Sequence, residues 1–344
     1  MVRSGLCIAS GLVDMHVHFR EPGFEYKEDI HTGALAAAAG GVTTCCCMPN
    51  TNPVADCPEI IRFISDKSKS APVRILPVGA ITVGQKGETL TNFKALKDAG
   101  AIALSDDGYP VADAELMREA MLLAREHDIL LICHCEEEES MVARDVELAR
   151  ETSAKIHIAH VSTKSAVDTI RRAKSEGVNV TAEACPQHFT LTEDDVPKLG
   201  SLARVNPPLR TKSDVLAIID GLCDGTIDAI ATDHAPHSVA EKSLPFDHAP
   251  PGMIGLETSL ALALTVLSDR LSFSDIINLM SANPARILGI EHNNDFVIFD
   301  PNEEWVVDLE SFESKARNSP FGGMRLSGRV KYTIACGKIV YECS

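Results

Sequence analysis

The sequence has no apolar run approaching the roughly 18 residues needed to span a bilayer, no low-complexity tract that would point to disorder, and too little positive charge for a nucleic-acid surface. Its 32 Lys and Arg against 49 Asp and Glu give a formal net charge of -17, whereas phosphate binding requires a basic face. There is no Gly-x-x-x-x-Gly-Lys-Ser/Thr loop, which leaves phosphate-loop chemistry unsupported. Nor does a Gly-x-Ser-x-Gly elbow follow a strand, which argues against a Ser-His-Asp hydrolase. The 11 cysteines are odd in number, and Cys45, Cys46 and Cys47 are consecutive, unlike a secreted disulfide framework. Reduced thiols are expected, and no cysteine spacing resembles a zinc site. The opening Met1-Val2-Arg3-Ser4-Gly5 runs into a strand pattern rather than a signal peptide. The chain is therefore expected to be cytoplasmic, with neither membrane nor nucleic acid among its partners.

What is present is an ordinary globular composition, 45% apolar and 24% charged over 344 residues, within the range that barrel enzymes fill as one unit of roughly 200 to 400 residues. Eight apolar runs alternate with helical-period segments: 12–18, 42–48, 73–80, 101–105, 129–134, 156–160, 178–184 and 227–233. Helices are expected at 114–126, 141–151, 164–174 and 213–222, several preceded by Asp, Ser or Thr in capping position. Segments 256–267 and 273–280 read as further helices, the first closing the series. Eight strand and helix units imply a TIM-type (β/α)8 barrel over residues 10–289. Beyond Gly289 the pattern changes to short strands at 296–299, 305–307, 330–335 and 338–341. Residues 1–9 and 290–344 are thus expected to form a small, truncated β-rich satellite, built mainly by the C-terminal segment.

In such a barrel the active site lies where strands end at their carboxyl face, so the residues that close each strand are the informative ones. The first ends His16-Val17-His18, with both imidazoles on one face because strand side chains alternate with a period of two. The fourth runs into Asp106-Asp107, the fifth ends in His134, the sixth in His160 and the eighth in Asp233. Imidazole and carboxylate are the ligands that borderline divalent metals take. Singly, a strand-terminal His is more often a hydrogen-bonded structural residue, and an Asp there is commonly a helix cap. Jointly, four histidines and two acids at one rim point to a metal centre, with ligands enough for two ions sharing a carboxylate, or for one. The other histidines have plainer readings. His31, His127, His234, His248 and His292 are expected to be structural or solvated, as is His157, which lies three residues from His160 and so faces the other side. His188, in Cys185-Pro186-Gln187-His188, is equally a candidate for orienting a ligand from behind.

The segment Gly11-Leu12-Val13-Asp14-Met15-His16-Val17-His18-Phe19-Arg20-Glu21-Pro22-Gly23 resembles the metal-binding signature of dihydroorotases, members of the amidohydrolase superfamily. Thr232-Asp233-His234-Ala235-Pro236-His237 resembles their second signature. Met48-Pro49-Asn50-Thr51-Asn52-Pro53, Ser105-Asp106-Asp107-Gly108, His160-Val161-Ser162-Thr163, Asn206-Pro207-Pro208-Leu209-Arg210 and Gly255-Leu256-Glu257-Thr258 follow in the order seen in bacterial type I members. The resemblance covers nearly the whole chain. It implies one or two zinc ions held by His16, His18, Asp107, His134, His160 and Asp233. Asp107 would bridge where many relatives use a carboxylated lysine; no lysine lies near the end of the fourth strand, and Asp106 is the alternative bridge. It implies further that Arg20 and Asn50 hold the substrate carboxylate, that Asn206 and His237 complete the pocket, and that the backbone around Pro251 and Gly252 meets the ring amides.

The activity so implied is the reversible hydrolysis of dihydroorotate to N-carbamoyl-L-aspartate in pyrimidine synthesis. Zinc would activate a water, and Asp233 would take its proton as the tetrahedral intermediate forms and deliver it to the departing ring nitrogen. The chain departs from type I relatives in three ways. It begins just before the first barrel strand, so the C-terminal strands are expected to form the satellite alone. The interval from His134 to His160 is shorter than in those relatives. Gln187 replaces a family histidine, and Pro251 stands where some relatives have phenylalanine. Two rival readings remain. A hydantoinase, dihydropyrimidinase or allantoinase shares the barrel and metal chemistry but usually carries the bridging lysine and lacks an arginine two residues after the second histidine. A non-catalytic dihydroorotase-like subunit serving an aspartate transcarbamoylase partner usually loses metal ligands. A homodimer is compatible with all of these readings.

Overall fold

The computed structural model describes residues 5–291 and 294–343; His292 lies outside them. The chain begins with β1 (Cys7–Ser10), and eight strands then form one parallel sheet in sequential order. These are β2 (Leu12–Val17), β3 (Val42–Cys47), β4 (Arg74–Gly79), β5 (Ala103–Ser105), β6 (Leu130–Cys133), β7 (Ile156–Ile158), β8 (Val180–Ala184) and β9 (Ala229–Ile230). A parallel bridge from Val17 to His234, with the His18 amide donating to the His234 carbonyl at 2.8 Å, closes the sheet into the expected TIM-type barrel.

Alternation along each strand divides the core. Cys45 and Cys47 of β3, Ile156 and Ile158 of β7, and Ala182 and Ala184 of β8 face outward to the helices. Val13, Met15, Cys46, Val78, Ala103 and Ile132 fill the barrel interior. The consecutive cysteines are therefore ordinary small apolar side chains on a doubly buried strand, and no disulfide forms among the described residues. Helices 114–126 and 273–280 fall where the sequence predicts them. Both are capped at their N-termini: Asp113 accepts from the Glu115 and Leu116 amides, and Ser272 forms a capping box with Asp275. Among the described residues no helix is long and apolar enough to cross a membrane.

The satellite draws on both ends of the chain, and mainly on the C-terminal segment, as expected, but differs from the sequence reading in two respects. Its C-terminal strands do not act alone, because β1 pairs antiparallel with β10 (Phe296–Val306) in a four-stranded sheet completed by β11 (Arg325–Ala335) and β12 (Lys338–Glu342). The predicted strands at 296–299 and 305–307 are also two halves of the single strand β10. The ladder shifts register between Asp300 and Glu304, around Pro301, which has no amide hydrogen to give it. Val297, Phe299 and Val330 bury into the same core as the barrel helices. β9 is shorter than the predicted run: the Thr232 amide donates to the Asp14 carboxylate rather than to a neighbouring strand, and Asp233 then adopts a positive φ of 48°.

Packing near the first strand is tight. A Cβ placed on Gly33, in helix Ile30–Ala39, would lie 2.3 Å from the buried Phe19 ring. Gly33→Ala is expected to destabilise the fold by about 1–3 kcal/mol of overpacking, more than the roughly 1 kcal/mol that alanine gains over glycine in a helix. The check is the urea midpoint; an unchanged or higher midpoint would mean that Phe19 moves aside freely.

Candidate active site

The barrel brings the six ligand-type side chains together. His16 lies in β2, His18 just beyond it, and Asp107, His134, His160 and Asp233 follow β5, β6, β7 and β9; all six are buried. Three residues at this rim, Arg20, His160 and Asp233, have left-handed backbones with φ of 62°, 35° and 48°. Such conformations cost of order 1–3 kcal/mol each and collect at functional sites.

Asp107 is the hub. Its Oδ1 lies 3.1 Å from His16 Nε2, 3.3 Å from His134 Nδ1 and 3.4 Å from His160 Nε2, and its Oδ2 lies 3.3 Å from His18 Nε2. Asp233 Oδ1 lies 3.0 Å from His18 Nε2 and 3.6 Å from His16 Nε2. His16, His18 and Asp107 form one group with the spacing a cation needs, and Asp107, His134 and His160 form a second. Asp106 is turned away, its carboxylate accepting from the Ile81 and Thr82 amides and the Thr82 hydroxyl.

The hydrogen bonds behind the rim test whether cations fit. His16 Nδ1 donates to Glu183 Oε1 at 2.8 Å, and His18 Nδ1 donates to Asn50 Oδ1 at 2.7 Å. With Nδ1 carrying the proton, each Nε2 lone pair faces carboxylate oxygens, an arrangement that is repulsive until positive charge lies between them. His16 Nε2 and His160 Nδ1 make no hydrogen bond although both are buried, and His134 Nδ1 faces His160 Nε2 at 2.9 Å. The donor set, imidazole nitrogens and carboxylate oxygens, suits zinc.

The cluster draws positive charge. Burial opposes ionisation of Asp107, but the surrounding His16, His134 and His160 rings outweigh it and hold its carboxyl well below the ordinary range. Burial likewise opposes ionisation of Asp233, yet His18 and His16 bring its pKa down.

Beside this rim is a cavity of about 160 Å³ lined by His18, Arg20, Asn50, Asp107, Gly108, His134, His160, Asn206, Asp233, Ala235, His237, Pro250, Pro251 and Gly252. It contains every substrate-contact residue that the resemblance implied. Arg20 Nε donates to the Pro236 carbonyl at 3.2 Å and Nη2 lies 3.4 Å from His237 Nε2, leaving the other terminal nitrogen for an anion. His237 Nε2 donates to the Pro251 carbonyl at 2.9 Å, so its Nδ1 accepts from Lys27 Nζ at 3.3 Å. Burial, with Arg20 and Lys27 beside it, pushes His237 down to about 3, a neutral ring at physiological pH. Asn206 Nδ2 lies 3.5 Å from His134 Nε2. The Gly252 amide already donates to the Arg204 carbonyl at 2.9 Å, so in this conformation Gly252 offers the cavity its bare Cα rather than a free N–H.

Glu183 is the main residue that sequence reasoning missed. It points into the barrel from β8, bonded to His16 on one side and to His157 Nε2 at 3.1 Å on the other, with His157 Nδ1 reaching Thr181 Oγ1 at 2.8 Å. The one signal was an acid in an otherwise uncharged strand, Val-Thr-Ala-Glu-Ala. His157 is structural, as expected, but it does not face away from the site. Period-two counting fails because the chain has left the strand before His160. His234 accepts from the Gly255 amide at 3.2 Å and sits beside Glu28. His188 Nε2 donates to the Pro207 carbonyl at 3.0 Å and so props the Asn206 loop rather than a rim histidine. His31 and His248 are exposed, and His127 ends a helix.

Residues 5–151 match a family model described as dihydro-orotase-like. A dihydroorotase of Acetivibrio thermocellus is 46% identical over 373 aligned positions, spanning 98% of this chain and 88% of the relative. A dihydroorotase of Clostridioides difficile is 48% identical, spanning 98% of this chain and 89% of the relative. Among solved structures, the L-hydantoinase (dihydropyrimidinase) from Arthrobacter aurescens superposes with a TM-score of 0.89 at 25% identity, over 97% of this chain and 85% of that one.

Removing Glu183 would leave two buried imidazole nitrogens unpartnered. Glu183→Ala is expected to cost about 3–5 kcal/mol, as for breaking a buried pair, and Glu183→Gln less, since an amide oxygen still accepts. Urea denaturation of both variants checks this, and an Ala variant as stable as the parent would show that the network contributes nothing.

Proposed function

This chain belongs to the dihydroorotase family, and from that membership we propose that it interconverts (S)-dihydroorotate and N-carbamoyl-L-aspartate, a step of pyrimidine synthesis. The observation that carries the reading is that a guanidinium, Arg20, lines the same cavity as His18, Asp107, His134, His160 and Asp233. A cyclic amide bearing a carboxylate needs both an anion fork and a hydrolytic centre within one small cavity.

His16, His18, Asp107 and Asp233 would hold one zinc ion, and Asp107, His134 and His160 a second, with Asp107 shared so that no carboxylated lysine is required. Zinc there supplies an acidified water and positive charge against the carbonyl under attack. The chain's own groups do the rest. Arg20 receives the substrate carboxylate through its guanidinium, and Asn50, whose oxygen is committed to His18, adds an amide N–H. Asn206, neutral His237 and the Pro251–Gly252 backbone shape the far wall around the ring. Asp233, ionised, accepts the proton of the attacking water as the carbonyl becomes tetrahedral. It then returns that proton to the ring nitrogen as the carbon–nitrogen bond breaks; in reverse the same transfers close the ring. His16 and His18 keep Nε2 forward because Glu183 and Asn50 hold their Nδ1 protons.

The decisive experiment follows dihydroorotate ring opening by ultraviolet absorbance, with hydantoin, dihydrouracil and allantoin as competitors for the assignment. Turnover of dihydroorotate is expected to vanish on chelation and return with zinc. Metal-replete protein that opens hydantoin or dihydrouracil while leaving dihydroorotate intact would sink the proposal. Asp233→Ala is expected to lower kcat by about 10²–10⁴-fold while zinc analysis shows part of the metal retained; undiminished turnover would remove Asp233 from the proton path.

A further inference from the structure

One part of the cavity wall is built from Pro250, Pro251 and Gly252, a sequence with an unusual bonding problem. Two of its three residues have no amide hydrogen, and the third gives its hydrogen to the Arg204 carbonyl. Such a segment can be fixed mainly through its carbonyl oxygens, and all three are engaged by side chains from other parts of the chain.

Lys242 supplies two of these contacts. It ends the short helix Val239–Lys242, which opens with a Ser238–Glu241 capping box, and its side chain turns inward until the residue is only 6% exposed. A buried ammonium ordinarily requires a carboxylate. Lys242 instead donates to three backbone oxygens, those of Gly252 at 3.0 Å, Pro250 at 3.1 Å and Arg204 at 3.3 Å, which matches the three hydrogens it carries. Asn318 supplies another contact from the segment between β10 and β11. Its Nδ2 donates to the Gly252 carbonyl at 3.1 Å and the Ala235 carbonyl at 3.0 Å, and its Oδ1 accepts from the His237 amide at 3.1 Å. The Pro251 carbonyl is taken by His237 Nε2. The wall has no slack either: a Cβ on Gly252, whose φ is 130°, would lie 2.7 Å from Ala235 Cβ.

We propose that Lys242 and Asn318 are positioning residues that clamp the Pro250–Gly252 wall and the His237 backbone in the shape that receives the substrate ring. This inference rests on the dihydroorotase reading. Neither residue lines the cavity, so both act through the carbonyls they hold. Their donors are independent: one is an ammonium from the loop after the last barrel strand, the other an amide from the C-terminal segment.

The test compares Lys242→Met, Asn318→Ala and Asn318→Asp with the parent zinc-loaded enzyme in dihydroorotate hydrolysis. Losing charge-assisted bonds to two wall carbonyls is expected to raise KM about tenfold to a hundredfold in Lys242→Met. The zinc content should stay at the parent value and kcat should change by less than about threefold, because the Asp107 and Asp233 rim is untouched. Asn318→Asp keeps the acceptor for the His237 amide but loses both donors, so it is expected to raise KM as much as Asn318→Ala. If Lys242→Met fails to fold, the Asn318 pair decides alone. KM within twofold of the parent in the folded variants overturns the clamp, even if their urea midpoints fall. A parent enzyme that is zinc-loaded yet inert toward dihydroorotate removes the premise instead, and is told apart by the parent's own assay.

Discussion

The structure is organised around one buried carboxylate. Asp107 sits among four imidazoles with little exposed surface to relieve its charge, and each of its oxygens is within 3.1 to 3.4 Å of ring nitrogens from at least one other strand. A buried anion survives only if positive charge is supplied to it. The rim therefore has a built-in demand for cations, and the parallel barrel meets the geometric condition by delivering all the strand ends to one face.

Satisfying that demand requires the histidines to present the correct nitrogen, which is settled one layer further in. Glu183 accepts a hydrogen bond from His16 Nδ1 and is itself held by His157; Asn50 Oδ1 accepts from His18 Nδ1. This polar chain runs through a barrel interior otherwise filled by Val13, Met15, Cys46, Val78, Ala103 and Ile132. It is tolerated there because nearly every donor and acceptor in it is paired. The left-handed turns at Arg20, His160 and Asp233 are the backbone's share of the cost of pointing these side chains at a common centre.

A protein of net charge -17 has to attract an anionic substrate against its own field. On the proposed reading the cavity would do so locally. Arg20 lines the cavity, Lys27 lies behind His237 with Glu241 at 2.8 Å, and burial together with the two cations keeps His237 neutral. Glu241 balances Lys27 outside the cavity, so positive potential within it comes mainly from Arg20 and from whatever cations the rim holds.

Much of this was legible in the chain alone. Short apolar runs alternating with helical-period segments specified the barrel, because such patterns are local properties of sequence. The histidines and acids closing those runs specified the rim, because a barrel sends every strand end the same way. Tertiary structure alone decided the rest. Asp107 rather than Asp106 faces the histidines because the Ile81 and Thr82 amides capture Asp106. Glu183 joins two histidines from two other strands. β1 completes a sheet whose other strands lie some 290 residues later, and Lys242 and Asn318 meet on one carbonyl. In each case the deciding contact joins residues far apart in the chain or turns on a hydrogen bond that no local pattern encodes.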